Sequence, residues 1–308
     1  MNPLGDGGLR QGEADLWCTY AAVRTLRWLD RKPHAPADVA AFVSSRRNHD
    51  GGYAWQRGLP SDSWATYYCT QTLLDLGSRP EHPDRLGDWV AGVRDGTGGF
   101  AMTPGQSPDV WATYYATRTI AEALGDTVRE PAGLAGWLAA LQCADGGLTW
   151  QPGGSAADTR ACYYGAHAWQ ASTDEPFPWR VGDLVAWLRA QQEPGGGFRF
   201  APGDQACLWA TFRAVRALDA LGAEPADPAA AVDWIERRRL SDGGTNAGPA
   251  TAGPTSGRAS ARWVRCRPSA TNRIRPSPTS CTAVRCRAAG SPTGSRTRPA
   301  TASRRRPG

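Results

Sequence analysis

A helical pattern of small and aromatic positions recurs five times along the chain. Counted from the Asp or Cys that opens each copy, offsets 3, 4, 7, 8 and 11 are mostly small or apolar, whereas offsets 2, 5 and 9 carry Trp, Tyr, Phe, Arg, Gln or His. Residues three or four apart share one side of an α-helix, so the two sets line different faces of the same helix. The copies begin at Asp15, Asp62, Asp109, Asp158 and Cys207, 47 to 49 residues apart. The pattern predicts five helices that are covered on both faces, which we call the motif helices.

A second helix is predicted after each motif helix. Each motif helix should begin at its Asp, which suits an N-cap, and stop at a Leu-Gly pair such as Leu124-Gly125. A Pro-containing turn then leads to a helix in which apolar and charged residues alternate, as expected of a helix with one exposed face. One Trp recurs at the same place in four of these helices and marks a shared packing position. The predicted second helices span residues 37–47, 83–94, 131–143, 178–192 and 228–240.

A Gly-Gly pair follows every predicted hairpin and runs in phase with the motif. The pairs begin at residues 7, 51, 98, 146, 196 and 243, and each is followed by Leu, Tyr, Phe or Thr. We expect each pair to end the helix before it. Two markers with one period indicate a repeat protein, in which hairpins stack as an open solenoid or close into an α/α barrel.

The combination of Gly-Gly-Phe/Leu, a loop of about ten residues, Asp-x-Trp/Arg-x-Thr-Tyr and a closing Leu-Gly resembles a known family. It is similar to the α/α-toroid repeats of protein prenyltransferase β subunits and of squalene, hopene and class II terpene cyclases. The resemblance covers residues 7–244 and implies an all-α toroid. In that fold the motif helices form the inner ring, and six hairpins enclose a greasy cavity for an isoprenoid. About five of those hairpins are recognisable in this sequence.

The composition changes abruptly at Thr245. From there to Gly308 the chain has thirteen Arg and no Asp or Glu, without a helical period. Such a segment cannot bury enough apolar surface to fold, so we expect a repeat domain at 1–244 and a disordered tail at 245–308. The tail is either natural or an out-of-frame translation. We favour the second hypothesis, because acidic residues vanish where a sixth motif helix should begin. Resequencing the DNA around codon 245 tests it.

The net charge of +6 belongs to this tail, because residues 1–244 carry more acidic than basic side chains. A nucleic-acid partner is therefore not expected, since it would need a basic face on the folded domain. The eight Cys are scattered without CxxC spacing, which indicates reduced thiols. With no signal-like or membrane-spanning stretch, the expected location is the cytoplasm, with peripheral membrane contact possible for a greasy substrate.

The catalytic residues of the resembled families are incompletely matched. Class II cyclases carry Asp-x-Asp-Asp-Thr, whose middle Asp is the proton donor; here that place holds Trp or, in one copy, Arg. Asp62, Asp109 and Asp158 match only the first Asp. They are the remaining candidates for a general acid, since burial raises a carboxyl pKa, although an N-cap role alone would also account for them.

A metal ion is suggested by the resemblance alone. Prenyltransferases hold zinc through Asp-x-Cys and a His of the following helix, and no copy here has Asp-x-Cys. No cofactor can be assigned from the residues, and zinc or magnesium rests on family likeness only. The His residues outside the motif helices show no metal-ligand spacing.

The aromatic face of the motif helices is the candidate substrate surface. Trp and Tyr rings stabilise carbocations through their quadrupole, and Arg or His could clamp an allylic diphosphate. Two other interpretations stay open: that the rings simply pack the core, and that the Arg side chains pair with acids such as Asp109 and Asp158. The candidate substrate-binding residues are Trp17, Trp64, Trp111, Tyr114, Arg118, Arg160, Tyr163, His167 and Trp209, with Arg24 and Arg216 on the same face.

These residues predict a terpene cyclase or prenyltransferase-like protein whose partner is an isoprenoid small molecule. The alternative is a non-catalytic toroid repeat protein, a pseudo-enzyme or protein-binding module, which the missing acid and zinc motifs favour. The sequence predicts neither an oligomeric state nor a partner subunit.

Overall fold

The computed structural model describes residues 14–240 and Thr245. Within these residues the chain is helical, and its extended backbone is confined to isolated β-bridges. The all-α prediction is therefore confirmed. The Gly-Gly pairs at 7 and 243 and the tail predicted beyond Thr245 lie outside the described residues. No helix in the described part of the chain is long and apolar enough to cross a membrane.

In the described part of the chain, ten α-helices alternate between the two predicted types. The motif helices are α1 (Leu16–Trp28), α3 (Ser63–Asp75), α5 (Val110–Arg118), α7 (Thr159–Ser172) and α9 (Leu208–Ala220). The second helices are α2 (Pro36–Ser44), α4 (Pro83–Gly92), α6 (Pro131–Ala139), α8 (Val181–Ala190) and α10 (Pro228–Glu236). A π-helical segment, Thr119–Leu124, continues α5 to the predicted Leu-Gly stop; the hydrophobic pattern did not reveal it.

The second helices are shorter than predicted. They end two to four residues before the predicted positions, and α8 begins at Val181 rather than at Pro178. The Gly-Gly pairs do not end them. After each helix the chain makes a turn and then forms a bridge across the Gly-Gly pair, as between Arg47 and Tyr53. Many of these residues, such as Arg46, Arg47 and Gln192, are good helix formers, but their backbone amides donate to the carbonyl three residues back and so form the turn.

The two sequence markers are joined by hydrogen bonds. The amide of the residue after the Gly-Gly pair donates to the motif Thr thirteen residues later: Tyr53 to Thr66 at 3.0 Å and Phe100 to Thr113 at 3.1 Å. The same link recurs with Thr211 and, through sulfur, with Cys162. The loop between the markers is thereby held against the start of the motif helix, which explains their constant phase.

The four Gly-Gly pairs that the structure describes, at 51, 98, 146 and 196, are each required by close packing on the next second helix. Gly98 has a φ of +101°, and a Cβ there would collide with the backbone carbonyl of Gly133 in α6. A Cβ on Gly99 would collide with the indole of Trp137. The indole of the recurring Trp in the second helices therefore packs directly on the second Gly of the pair. Only Gly combines this backbone conformation with so close an approach.

Neighbouring motif helices pack on one another in chain order, from α1 through α9. The second helices lie outside this row, and α2, α4, α6 and α8 each pack against the motif helix that follows them in the chain. One continuous hydrophobic core spans the row from Leu16 to Leu218. This arrangement places offsets 2, 5 and 9 of all five motif helices side by side.

Candidate functional site

Offset 5 of the motif helices forms a continuous row of aromatic rings. Neighbouring ring centroids lie 6.5, 6.2, 5.8 and 6.0 Å apart along the row. Its four tyrosine rings are at most 3% exposed, because they bury one another. We call this row the tyrosine layer; it consists of Tyr20, Tyr67, Tyr114, Tyr163 and Phe212.

Offset 2 forms a second row that remains partly accessible. Trp17, Trp64, Trp111 and Trp209, with Arg160 in the fourth place, are all of intermediate exposure. The Trp64 and Trp111 rings lie 4.7 Å apart. We call these five residues the tryptophan rim. The predicted binding residues that belong to the rim are therefore accessible to a ligand, whereas Tyr114 and Tyr163 lie in the closed tyrosine layer.

Three further tyrosines at offset 6 close the space between the two rows. Tyr68 stacks on Tyr20 with centroids 4.4 Å apart, and Tyr115 stacks on Trp64 at 6.2 Å. Tyr164 contacts Trp111 at 6.4 Å. The sequence interpretation missed these residues, although the Tyr-Tyr pair repeated in three copies was a visible signal.

Two buried arginines of the predicted clamp are already paired with acids. Arg24 is bound by Asp75 at 2.7 Å and donates to Gln71 at 2.5 Å. Arg118 pairs with Glu122 at 2.6 Å and lies over the Tyr67 ring. Their charges are compensated within the protein, so neither is a free anion anchor.

The other two arginines of the predicted clamp are paired as well. Arg160 is held by Asp158 at 2.5 Å, and Arg216 by Asp219 at 2.7 Å. The pairing of Arg160 with Asp158 is one of the partnerships considered from the sequence. The partners of the other clamp arginines lie three or four residues onward or on the neighbouring helix.

His167 is buried among these groups as a neutral imidazole. Burial, together with the nearby charges of Arg216 and Arg118, lowers its pKa to about 3. Its ring packs against Tyr163 at 4.6 Å. At neutral pH this side chain can donate or accept a hydrogen bond but carries no charge for a phosphate.

The three candidate acids all cap motif helices. The Asp62 and Asp109 carboxylates accept from the amides of Ala65 and Ala112, each at 2.8 Å. Asp158 accepts from the Arg160 amide at 2.7 Å as well as from its guanidinium. Burial raises the pKa of Asp62 to about 6 and also raises that of Asp109. Asp62 is thus the carboxyl best suited to carry a proton near neutral pH.

Arg213, at offset 6 of α9, was missed by the sequence interpretation. Its guanidinium lies over the rings of Trp209, Tyr163 and Tyr164, and it donates to the Tyr164 hydroxyl at 3.1 Å. The signal was present, because Tyr68, Tyr115 and Tyr164 occupy this offset in the three preceding copies and only the fifth has Arg.

Within the described part of the chain, no three His, Cys, Asp or Glu side chains lie close enough to share a metal ion. A cavity of about 670 Å³ lies away from the tyrosine layer, between α1, α2 and the loop at Trp55. Two residues that line the cavity are Asp38 and Phe42 of α2. In the later second helices, the residues at the same two positions pack against a Gly-Gly pair. The pair that would match this place, at residues 7 and 8, lies outside the described residues.

Solved structures with TM-scores above 0.5 share this fold at low identity. A type II terpene cyclase from Scytonema is 18% identical over 77% of this chain and 72% of that chain, with a TM-score of 0.52. A protein from Actinoplanes is 17% identical over 76% and 75%, with a TM-score of 0.53. Candida albicans protein geranylgeranyltransferase-I is 17% identical with a TM-score of 0.47; the match covers 55% of this chain and 52% of that chain.

No curated protein matches the chain. The family model for the prenyltransferase alpha-alpha toroid domain matches residues 4–63 and 58–249. This match covers well over half of the sequence and agrees with the row of helical hairpins. The chain belongs to the prenyltransferase α/α-toroid domain family.

Proposed function

We propose that this chain is a terpene cyclase- or prenyltransferase-like protein that binds an isoprenoid substrate against its tryptophan rim. The observation that carries the proposal is the half-buried indole at the same offset on four motif helices, with Trp64 and Trp111 in contact. A row of partly exposed indoles suits a long apolar chain. It also attracts a carbocation formed from that chain.

A relative supports the choice of ligand class. The Scytonema type II terpene cyclase has been solved with geranylgeranyl dihydroxybenzoate bound, and that structure has a TM-score of 0.53 to this chain at 16% identity. The shared fold supports a polyprenyl ligand here. We propose the rim rather than the space between the helices as the ligand site, because the rings of the tyrosine layer are closed to solvent.

For catalysis we propose Asp62 as the proton donor, with Asp109 and Asp158 as the other candidates. The raised pKa of Asp62 leaves a fraction of the carboxyl protonated near neutral pH. This carboxyl stands two residues before a rim indole, Trp64. A proton passed from it to an alkene would leave a carboxylate beside a carbocation that the rim stabilises.

Calorimetric titration of the full chain with C10 to C30 prenyl diphosphates and squalene tests the binding. Trp111→Ala should weaken binding about tenfold, since one buried indole face contributes roughly 1.5 kcal/mol. Trp28→Ala is the matched control, because Trp28 lies outside the rim and is 50% exposed. The proposal is wrong if no prenyl compound binds, or if both variants weaken binding equally.

Turnover is tested separately by mass spectrometry of the products. Asp62→Asn should abolish product formation while leaving binding intact, because Asn keeps the N-cap but has no acidic proton. Unchanged turnover in this variant would remove Asp62 from the mechanism.

The second candidate is a non-catalytic toroid protein. It is favoured by the engagement of all three acids as N-caps and by Trp or Arg at the place of the usual proton donor. Tight binding of prenyl compounds without any product would support this candidate.

A further inference from the structure

Offset 6 of the motif helices changes from an aromatic ring to a cation in the last copy. The position is Tyr68 in α3, Tyr115 in α5 and Tyr164 in α7, and it becomes Arg213 in α9. The Arg213 guanidinium lies 5.5 Å from the Trp209 ring centroid and donates to the Tyr164 hydroxyl at 3.1 Å. A charge has therefore been placed among the rings at one end of the tryptophan rim.

This charge lacks a counter-charge in the described part of the chain. The other arginines on this side of the motif helices are paired with carboxylates, whereas no carboxylate among residues 14–240 lies within 4.0 Å of Arg213. Its Nε is buried and has no hydrogen-bond partner there. A partly desolvated guanidinium in this condition gains strongly from an anion.

The local charge balance points the same way. Four motif helices begin with an acidic N-cap, but α9 begins with the neutral Cys207, so the positive end of its dipole is not offset by a carboxylate. Arg160 lies near enough to interact with Arg213, and its own charge is balanced by Asp158. The group formed by these side chains has one net positive charge.

The site is also within reach of a ligand on the rim. Arg160, Trp209 and Arg213 are only partly buried, so an anion can approach the guanidinium from the rim side. The Tyr164 hydroxyl, which now accepts from Arg213, can turn to donate to the same anion.

We propose that Arg213, with the Tyr164 hydroxyl beside it, binds the anionic head group of the ligand, a phosphate or a carboxylate. The apolar chain of that ligand then runs from Trp209 along the rim. The part about the apolar chain rests on the proposed function, whereas the anion site does not.

Calorimetry on the full chain at low salt tests the site with five probes: inorganic phosphate, inorganic pyrophosphate, farnesyl diphosphate, farnesoate and farnesol. Farnesyl diphosphate or farnesoate should bind at least about tenfold more tightly than farnesol, as expected for one charge-assisted contact. The stronger of the two anionic compounds identifies the head group. Arg213→Gln should abolish the preference, and Arg213→Lys should retain part of it. Arg79→Gln removes the same charge from an exposed loop and should change nothing.

Circular dichroism establishes whether each variant is folded. If Arg213→Gln does not fold, Arg213→Lys still tests the site. Equal binding of farnesol and both anionic compounds to the unmodified chain would refute the anion site and leave isoprenoid binding intact. Binding of pyrophosphate or phosphate that depends on Arg213, without binding of any prenyl compound, would support the site and refute the proposed function. If no probe binds, both are wrong.

Discussion

The hydroxyl groups of the tyrosine layer differ sharply in their surroundings, and this difference can be measured. Tyr67 is 1% exposed, and its hydroxyl has no hydrogen-bond partner among the described residues. The Tyr114 hydroxyl, one helix along, accepts from the Arg118 guanidinium. A buried hydroxyl without a partner costs about 1–3 kcal/mol, so removing it should stabilise the folded protein. Removing one member of a buried hydrogen-bonded pair should destabilise the folded protein by a similar amount.

Tyr67→Phe should therefore raise the free energy of unfolding by about 1 kcal/mol or more. The ring, its packing and its contact with the Arg118 guanidinium at 4.9 Å are kept, and only the unpaired oxygen is removed. Tyr114→Phe should lower the free energy of unfolding by about 1–3 kcal/mol, since Arg118 loses an acceptor. For a domain of this size each kcal/mol corresponds to a shift of about 2–4 °C in Tm.

Urea unfolding followed by circular dichroism measures both variants against the unmodified chain, with the slopes compared to establish that the unfolded states match. A destabilisation of 1 kcal/mol or more by Tyr67→Phe would mean that this hydroxyl is hydrogen-bonded in solution. The tyrosine layer would then hold water or a ligand, and the assignment of the ligand to the rim alone would be wrong.

Four further predictions concern the repeat contacts and the buried ionisable groups. Gly98→Ala should lower the free energy of unfolding by at least about 2 kcal/mol more than Gly105→Ala, because both have positive φ but only the first would collide with a neighbouring carbonyl; equal effects in urea unfolding would contradict this. Thr113→Val should cost about 1–3 kcal/mol in the same assay, since it leaves a buried amide without its acceptor, and a neutral result would show that the link between the markers is dispensable. Because the pKa of Asp62 is raised in the folded state, its contribution to stability is complete below its ordinary pKa of 3.8 and is lost as the pH rises through about 6. The stability of Asp62→Asn should therefore increase relative to that of the unmodified chain between pH 4 and 7. The lowered pKa of His167 acts in the opposite direction: its contribution to stability is present above its ordinary pKa of 6.5 and is lost as the pH falls towards 3. The stability of His167→Gln should therefore increase relative to that of the unmodified chain below pH 6.5. Thermal unfolding of both variants across this pH range checks both signs.

The fold was predictable because its two markers repeat for separate physical reasons. The motif Thr accepts a hydrogen bond, and the Gly-Gly pair allows close backbone approach, so both recur at fixed spacing. The ends of the second helices were not predictable, because the following turn is built from residues that would also suit a helix. The π-helical segment after Arg118 was also missed, since a helix with one widened turn keeps nearly the same hydrophobic pattern.

The candidate site was only partly predictable. The sequence indicated that Trp, Tyr and Arg share one side of the motif helices, but it could not separate the accessible offset 2 from the closed offset 5. That difference depends on how neighbouring helices turn towards each other. Ion pairs within one helix, such as Arg118 with Glu122, have a spacing visible in the sequence, whereas Arg24 with Asp75 joins two helices and required the structure.

Because α2, α4, α6 and α8 each pack against the motif helix that follows them, the structural unit is out of step with the sequence repeat. A fragment that stops after a complete sequence repeat, for example after α8 at Ala190, leaves the inward face of its last helix bare. A fragment that stops after α7 at Ser172 keeps α6 docked on its motif helix, although α7 itself still lacks its packing on α9. During synthesis, each of these second helices can dock only after roughly thirty more residues, up to the end of the next motif helix, have been made. We therefore expect the chain to gain stability in steps, one for each completed motif helix rather than one for each completed sequence repeat.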